Sequence, residues 1–499
     1  MKKTCSKALL ACLLAALAVS PAVMTACAEK DAPISAGEST SSSAVSETEE
    51  EVTTRHMPDV PEQNYGAEFL ILTEGDNGGD WTTYDVWVEK ADADPINDAV
   101  YKRNDMIQEH LGVKIQEYRT PNGQNVLSVA QRSIQSNDDE FGAIIAGLND
   151  GLTLAQNGQT YNLYDIPHID LENEWWDQKC IEESRILGKV YLATGDITVI
   201  DNDATWTLMF NKQMITDLNL DVPYDLVRSD TFTFDKFEEM IKIASDDLNG
   251  DGKMDWKDDR FGMVTTFNTA DGLFFAGGGR FVKLNEELIP SNNIDTEFLS
   301  RLVTRAGEIF ANKNTVIDDH KPSSISSVDD LRSVFEQGRG LFFGEVMQCI
   351  TRMRDSETDF GVIPWPKLDE NQSEYYNMMH YSVSRGVTIP ITRSDIDMAG
   401  AVIEYMAGAS MYTLTPAYYD ICLTSKYMRD EESSEMLDII LASRVFDLGY
   451  ICEWGNMHQS IKSLILDGKT NVASTISSHL KAFEKAMEKT TERFQDNAS

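Results

Sequence analysis

The pattern of apolar and polar positions after residue 65 begins with a strand, a helix and a second strand. Residues 68–72 form a short apolar run of the type found in buried strands. Asp-Pro at 94–95 is a favourable helix start, and apolar positions then recur on one helical face up to Gly112, a typical helix end. Residues 113–118 alternate as a strand. This unit predicts a right-handed parallel crossover.

Similar patterns continue along the rest of the chain. Further helices are predicted at residues 233–244, 294–310, 327–337, 395–407, 433–441 and 475–494. Short strands are predicted at residues 141–146, 190–193, 208–210 and 340–343. The mixture predicts an α/β protein in which helices dominate the C-terminal half.

The N-terminus has the layout of a secretory signal peptide. Three lysines lie within the first seven residues, and the apolar run 8–23 that follows is too short to span a bilayer. Small residues directly before Cys27 resemble a bacterial lipobox, in which the cysteine carries lipid. Ordinary signal cleavage, and a shorter lipobox that ends at Cys12, stay open as alternatives.

The segment after Cys27 is predicted to be a tether. It is rich in Ser, Thr, Glu and Ala and has no apolar periodicity, so it cannot bury enough surface to fold. The predicted organisation is a signal peptide at 1–26, an acylated cysteine and disordered tether at 27–64, and a folded domain at 65–499. A lipid-anchored protein on the extracellular face of the cell membrane is the expected result.

Composition narrows the possible partners. The chain has 82 acidic and 43 basic residues and a formal net charge of −39. This balance argues against nucleic acid, which selects for clustered Lys and Arg, and against docking on anionic lipid through a basic face. With 499 residues and 42% hydrophobic content, two or more lobes with large cores are expected. Four cysteines beyond the tether are expected to be mostly small buried hydrophobes. A disulfide among them stays open.

Residues 247–258 match a twelve-residue calcium loop position by position. The side-chain ligands would be Asp247, Asn249, Asp251 and Asp258, and the Lys253 carbonyl would supply a further oxygen. Gly252 would permit the sharp turn at the sixth position. The loop stands alone and ends in Asp rather than Glu, which favours a structural calcium ion over a calcium sensor. A solvated Asp/Asn/Gly turn is the alternative.

Motifs of common hydrolases and nucleotide-binding proteins are absent from the sequence. There is no HExxH pair, no G-x-S-x-G elbow and no phosphate-binding GxxxxGK[ST] loop. The chain is therefore expected not to be an enzyme. With so many acidic residues, the sequence alone still leaves open a surface-anchored glycoside hydrolase with two paired carboxylates.

Several motifs in a fixed order resemble the extracellular solute-binding lipoproteins of bacterial ABC importers, of the sugar-binding group 1 type. The resemblance covers roughly residues 65–460, and each motif alone is loose. Besides the lipobox and the calcium-like loop, the motifs are DAVYKRN at 98–104, LYD at 163–165, WWD at 175–177, GKVY at 188–191, FNK at 210–212, FTFD at 232–235 and FGVIPWPK at 360–367.

The resemblance implies a two-lobed, periplasmic-binding-protein-like (type II) fold with a hinge and an interlobe cleft. The protein would capture a carbohydrate, expected to be an oligosaccharide, as a monomer and deliver it to the permease of an ABC transporter. Sugar clefts combine aromatic faces with a few polar groups. On that basis the predicted ligand-binding residues are Trp81, Asp203, Trp206, Tyr381 and Trp454. Trp175 and Trp176 are expected to be packing residues.

Alternatives remain at this point. The same fold could bind a peptide, a polyamine or another cation, which an acidic surface would tolerate. A further hypothesis is a surface adhesion lipoprotein in which calcium stiffens a module.

Overall fold

The computed structural model describes residues 56–75, 81–320, 325, 327–354, 356–423 and 431–497. The predicted signal peptide, Cys27 and most of the tether lie outside these residues. The last part of the predicted tether, residues 56–64, contacts the folded domain. Val60 is buried, and the backbone N–H of His56 donates to the Tyr412 hydroxyl at 3.0 Å. The packed part of the chain thus includes residues that the sequence places before Tyr65.

The described residues contain thirteen strands. They are β1 Ala67–Thr73, β2 Val113–Arg119, β3 Ala143–Gly147, β4 Trp206–Asn211, β5 Phe261–Thr265, β6 Val282–Leu284, β7 Pro290–Asn292, β8 Val316–Ile317, β9 Gly340–Val346, β10 Phe360–Ile363, β11 Asn377–Met378, β12 Arg385–Thr388 and β13 Arg444–Val445.

Eighteen helices accompany them in the same part of the chain. They are α1 Pro95–Leu111, α2 Val126–Gln135, α3 Leu148–Gln156, α4 Gln178–Ser184, α5 Ile200–Asp203, α6 Lys212–Asp217, α7 Pro223–Arg228, α8 Phe234–Ala244, α9 Thr269–Ala276, α10 Thr296–Phe310, α11 Val328–Glu336, α12 Gln348–Arg352, α13 Ile396–Met411, α14 Leu414–Leu423, α15 Glu431–Ala442, α16 Leu448–Ile451, α17 Met457–Asp467 and α18 Val472–Asn497.

The predicted opening unit is confirmed in detail. The Asp94 carboxylate accepts the backbone N–H groups of Ile96 and Asn97, and this satisfies the free donors at the start of α1. Gly112 ends the helix with φ of 61°, a conformation that glycine adopts without steric cost. Strands β1 and β2 pair in parallel, as the crossover requires.

Four strands form the first sheet, in the order β12-β3-β1-β2. Strands β1, β2 and β3 are parallel, and β12 is antiparallel to β3. Side chains alternate across the sheet: Phe69 and Ile71 pack in one core with α13, whereas Leu72 packs in another with α2. Apolar layers on both faces explain why these strands read as continuous apolar runs.

The second sheet has five strands, in the order β10-β4-β9-β5-β8. Strand β9 is antiparallel to β4 and parallel to β5, so this sheet is mixed. Phe342 on β9 packs into a core with α9, α10 and α17, and the next residue, Phe343, packs into a core with α11 and α14. Each sheet therefore forms the centre of its own α/β layer structure.

Within the residues that the structure describes, the chain passes between the two sheets three times. The first crossing leads from β3 to β4, and the second leads from β10 back to β12. These two crossings touch, because the N–H of His380 donates to the Ala204 carbonyl at 3.1 Å. The third crossing joins α13, which packs on the first sheet, to α14, which packs on the second. Two lobes connected by three crossings agree with the predicted hinge architecture.

The later elements largely follow the predicted positions, with one exception. Residues 190–193 do not form a strand, and only Ala193 makes an isolated antiparallel bridge, to Val387. Side chains and a loop satisfy much of this backbone instead. The Asn162 amide oxygen accepts the N–H of Val190, and the Thr388 hydroxyl donates to the Tyr191 carbonyl. The segment is apolar because it is buried, and it does not need a strand partner.

The adjacent tryptophans of the WWD motif are packing residues, as predicted. Trp175 and Trp176 are almost completely buried, and both indole N–H groups donate to the carboxylate of Glu404 on α13 at 3.1 and 3.0 Å. Asn173 donates to the same carboxylate. Burial raises the pKa of Glu404 to about 7, although these hydrogen bonds act in the opposite direction. The motif thus fixes α13 to the loop before α4.

The cysteines of the folded domain are free. Cys180, Cys349 and Cys422 are buried and Cys452 is half-buried. Their packing matches the expectation of small buried hydrophobes, and the structure pairs none of these four.

Candidate ligand-binding site

A pocket of about 280 Å³ lies where strands β1 and β3 end. The carboxyl ends of adjacent parallel strands meet at one edge of a sheet, which is where open α/β sheets place ligands. We call this the β1 pocket. Its lining residues come from the loop after β1, the start of α3 and the second crossing, and they are Glu74, Gly75, Trp81, Thr82, Gly147, Asp150, Ser382 and Arg385.

Arg385 fixes two walls of the β1 pocket to each other. Its guanidinium donates to the carbonyl of Ser382 at 3.1 Å and to the carbonyl of Trp81 at 3.2 Å. The side chain is buried, and burial lowers the pKa of Arg385 below its usual value. Burial raises the pKa of Asp150, with a further contribution from the negative charge of Glu74. An aromatic ring, a cation and carboxylates thus surround one small space.

Tyr381 joins this pocket to an aromatic cluster. The backbone N–H of Leu148, at the start of α3, donates to the Tyr381 carbonyl at 3.0 Å. The Tyr381 ring stacks on His380 at 5.8 Å and meets the edge of Tyr450 at 4.6 Å. His458 lies 5.1 Å from Tyr450. The cluster connects the first-sheet pocket to helices that pack on the second sheet.

A buried ion pair lies next to this cluster. The Lys462 ammonium on α17 donates to Asp271 on α9 at 2.9 Å and to the Asn268 amide oxygen at 2.6 Å. It also lies 4.6 Å from the centre of the Phe267 ring, which is 38% exposed. Burial, and secondly the Lys462 charge, lower the pKa of both His380 and His458 to about 4. Both histidines are therefore neutral at physiological pH.

The structure brings two of the five predicted ligand-binding residues to accessible positions. Trp81 lines the β1 pocket, and Tyr381 is half-buried next to its Ser382 wall. Trp206 is 1% exposed, and its indole N–H donates to Thr269 at 3.0 Å. Its ring lies 6.2 Å from His380, so it packs behind the aromatic cluster.

Asp203 and Trp454 are also buried, each with hydrogen-bond partners from the protein. The Asp203 carboxylate accepts the hydroxyls of Tyr84 at 2.8 Å and Tyr418 at 2.9 Å, and burial raises its pKa to about 6. The Trp454 indole donates to Thr490 on α18 at 3.0 Å. These contacts give Asp203 and Trp454 structural roles in the described geometry, because their polar groups are already satisfied.

Sequence reasoning missed several polar residues of the β1 pocket and of the neighbouring ion pair. Asp150, Asp271, Arg385 and Lys462 lie in no motif, and each is one of many charged residues in the chain. His380 and His458 are 78 residues apart, so nothing in their spacing indicates that they lie in one cluster. For Asp150 one signal was present in the sequence, because it closely follows a predicted buried strand. The carboxyl ends of such strands are where open α/β sheets place ligands.

The calcium-like loop has a compact backbone. The Asp247 carboxylate accepts the N–H groups of Gly250 and Gly252 at 2.7 Å each, and Gly252 has φ of 79°, in line with the predicted turn. Buried Asp259 joins the two ends of the loop by accepting from Leu248 and Asp255. Oxygen donors of this kind suit calcium. Among the described residues, no three His, Cys, Asp or Glu side chains are grouped closely enough to hold a metal ion. Calcium binding stays a prediction.

No protein-family model matches the chain, and no curated protein matches it. Solved structures do match it. A sugar transporter protein from Rhizobium etli in an open conformation aligns with a TM-score of 0.55 and 13% identity, over 86% of this chain and 99% of that chain. The chain has the fold of bilobed solute-binding proteins.

Two further structures support this bilobed solute-binding fold. A cyclo/maltodextrin-binding protein complexed with maltotetraose aligns with a TM-score of 0.53 and 13% identity, over 86% of this chain and 97% of that chain. An ABC substrate-binding protein from Listeria monocytogenes in complex with cycloalternan gives a TM-score of 0.51 and 12% identity, over 87% of this chain and 99% of that chain.

Within the described part of the bilobed chain, no helix combines the length and apolar character needed to cross a membrane.

Proposed function

We propose that this chain is the extracellular solute-binding lipoprotein of a bacterial ABC importer and that it captures a carbohydrate. The observation that carries the proposal is the β1 pocket, which Trp81 lines together with Asp150 and Arg385 at the carboxyl ends of parallel strands. Aromatic rings offer a face for the apolar side of a sugar ring, and buried charged groups bond its hydroxyls. The fold is that of proteins described with maltotetraose and cycloalternan.

A non-catalytic role is part of the proposal. The matching structures are described as transport and binding proteins rather than as enzymes. Ligand would bind across the crossings and favour the closed arrangement of the lobes, which a permease would then recognise. The charge of the β1 pocket keeps a cationic solute or peptide as the second candidate, because two carboxylates face one guanidinium.

The remaining parts of the proposal depend on the N-terminal segment. Lipid on Cys27 would anchor the protein to the extracellular face of the cell membrane, and the Ser/Thr/Glu-rich tether would hold the domain away from that surface. The domain would act as a monomer. Mass spectrometry of the membrane fraction from the native host tests the anchor: an acylated cysteine at the mature N-terminus is expected, and a plain cleaved N-terminus would refute it.

A thermal-shift screen of residues 56–499 tests the ligand class. A ligand that binds only the folded state must raise the melting temperature. A neutral oligosaccharide is expected to do so in wild type and much less in Trp81→Ala. Trp256→Ala makes the same change in the calcium-like loop and should respond as wild type does.

Two outcomes would contradict the proposal. Stabilisation by peptides or polyamines alone would replace the carbohydrate with a cationic or peptide ligand. Release of shorter sugars from a bound oligosaccharide would show hydrolysis, and the non-catalytic role would then be wrong.

A further inference from the structure

A second and larger cavity lies at the end of strand β2. It measures about 570 Å³, within the range of roughly 300–1,000 Å³ that is usual for small-molecule sites. We call it the β2 cavity. It lies between the loop that leads into α1 and the end of β2, and the lining residues that matter here are Tyr84, Trp87, Asn97, Glu117 and Arg119.

The β2 cavity lies beside the β1 pocket. Strands β1 and β2 are paired in parallel with Thr73 opposite Arg119, and paired strands are only about 4.8 Å apart. The Thr73 hydroxyl donates to the Glu117 carboxylate at 2.8 Å, and the N–H of Gly75 donates to the Thr120 hydroxyl at 2.9 Å. The end of β1 therefore leads into the β1 pocket, and the end of the neighbouring strand β2 leads into the β2 cavity.

The β2 cavity has the same chemical character as the β1 pocket. It offers two aromatic rings, from Tyr84 and Trp87, and both are half-buried. Tyr84 is held in place by its hydroxyl, which donates to buried Asp203 at 2.8 Å. An aromatic ring that is already fixed loses little conformational freedom when a ligand stacks on it. The predicted ligand residue Asp203 thus supports a wall of the cavity.

Polar groups complete the lining. The Glu117 side chain is 2% exposed, and it accepts from the Arg119 guanidinium at 2.9 Å as well as from Thr73. Arg119 is 43% exposed and keeps further N–H groups for other acceptors. Charged side chains of both signs line the cavity, namely Glu89, Asp92, Glu117, Lys90 and Arg119, so a ligand there would find both hydrogen-bond donors and acceptors. Aromatic rings together with hydrogen-bond donors and acceptors suit a neutral, hydroxyl-rich sugar unit.

We propose that the β2 cavity is a second sugar subsite, and that the ligand is an oligosaccharide long enough to fill this cavity and the β1 pocket together. The inference rests on the proposed carbohydrate-binding function and adds the requirement for chain length. A monosaccharide would occupy only one of the two spaces. The affinity for a matching glycan should therefore rise with its length and then level off once both spaces are filled.

Calorimetric titration with sugars of increasing length tests this inference. The probes are malto-, cello-, xylo- and galacto-oligosaccharides, from disaccharides to hexasaccharides, against wild type, Trp87→Ala, Trp87→Phe and Trp256→Ala. For the series that binds, Trp87→Ala should lose about tenfold in affinity for the long members, or about 1.4 kcal/mol, and keep the wild-type affinity for the shortest one that binds. Trp87→Phe should lose less, and Trp256→Ala should match wild type.

The outcomes separate this inference from the proposed function. If the long and short members of the series lose affinity equally in Trp87→Ala, or neither loses any, the second subsite is refuted while Trp81-dependent sugar binding stands. If no sugar binds wild type, the carbohydrate function fails and the inference fails with it. Melting curves of each variant show that it is folded, and Trp87→Phe retains an aromatic ring at this position should the alanine variant not fold.

Discussion

The buried ion pair between Lys462 and Asp271 gives the sharpest stability prediction. Both side chains are more than 90% buried, at 7% and 8% exposure, and the pair links helix α17 to helix α9 beside the aromatic cluster. Asp271→Asn would leave the Lys462 ammonium buried beside neutral groups, such as the Asn268 amide and the Phe267 ring, without the carboxylate that balances its charge. Lys462→Met would leave the Asp271 carboxylate without its cation.

The expected cost follows from this burial. Removing one partner of a buried pair costs about 3–5 kcal/mol, because an uncompensated charge stays in a poorly solvated place. Replacing both partners removes the charge, so the double variant Asp271→Asn/Lys462→Met should cost no more than about 2 kcal/mol. The two single variants should thus sum to far more than the double one, with a coupling energy of about 3 kcal/mol or more.

Acid should partly rescue one of the two single variants. In Lys462→Met, the pKa of Asp271, which burial already raises, should rise further. A carboxyl with a raised folded pKa favours the folded state when it is protonated, so the destabilisation should shrink as the pH falls. Loss of Lys462 also lets the pKa values of His380 and His458 rise from about 4, which reduces the loss of stability on acidification and acts in the same direction. Asp271→Asn has no carboxyl to protonate at this position.

Urea denaturation of the four proteins, at several pH values, measures these free energies. The m-value should stay constant across the set, which shows that the comparison concerns stability rather than the compactness of the unfolded state. Single variants that each cost less than about 1 kcal/mol, or a double variant that costs the sum of both, would refute the claim that this pair is desolvated and coupled.

Three further predictions concern other parts of the chain. The Glu404 carboxyl has a folded pKa of about 7, so wild type should lose about 1 kcal/mol of stability as the pH rises from roughly 6 to 8. Glu404→Gln should not show this loss, and melting curves of both proteins across this range check the sign. Trp454→Phe should lower the melting temperature and leave sugar affinity unchanged. Trp81→Ala should lower sugar affinity and leave the melting temperature nearly unchanged, and calorimetry with melting curves measures both quantities. A calcium chelator should lower the melting temperature of wild type but not of Asp251→Ala, and equal sensitivity would remove the metal hypothesis.

Local elements could be predicted because their signals lie close together in the chain. The apolar run of β1, the Asp94 cap of α1 and the terminal Gly112 are each set by a few neighbouring residues, and all three are found as predicted. The buried WWD tryptophans followed from their resemblance to a packing motif. The apolar segment at 190–193 shows the limit of this reasoning, since an apolar run indicates burial but does not say which groups will pair with its backbone.

The candidate pocket includes only part of the predicted set of ligand-binding residues, and the reason is physical. The sequence offers no local signal that separates Trp81 from Trp206 and Trp454, yet Trp81 lines a pocket and the other two are buried in cores. A tryptophan serves equally well as a core residue or as a stacking platform, so its role depends on what surrounds it. Asp203 likewise belongs to the polar run 201–203, and tyrosines from two distant segments donate to its buried carboxylate.

The sequence by itself determined the element types, the mixed α/β class, the acidic character and the calcium-like loop, because period, capping and composition are properties of short stretches. Only the tertiary structure decided which polar and aromatic groups meet. Arg385 donates to the Trp81 carbonyl across 304 residues of chain, and Lys462 reaches Asp271 from another helix. Such long-range contacts form because the sheet order and the three crossings bring distant segments together, and no local sequence pattern predicts that arrangement.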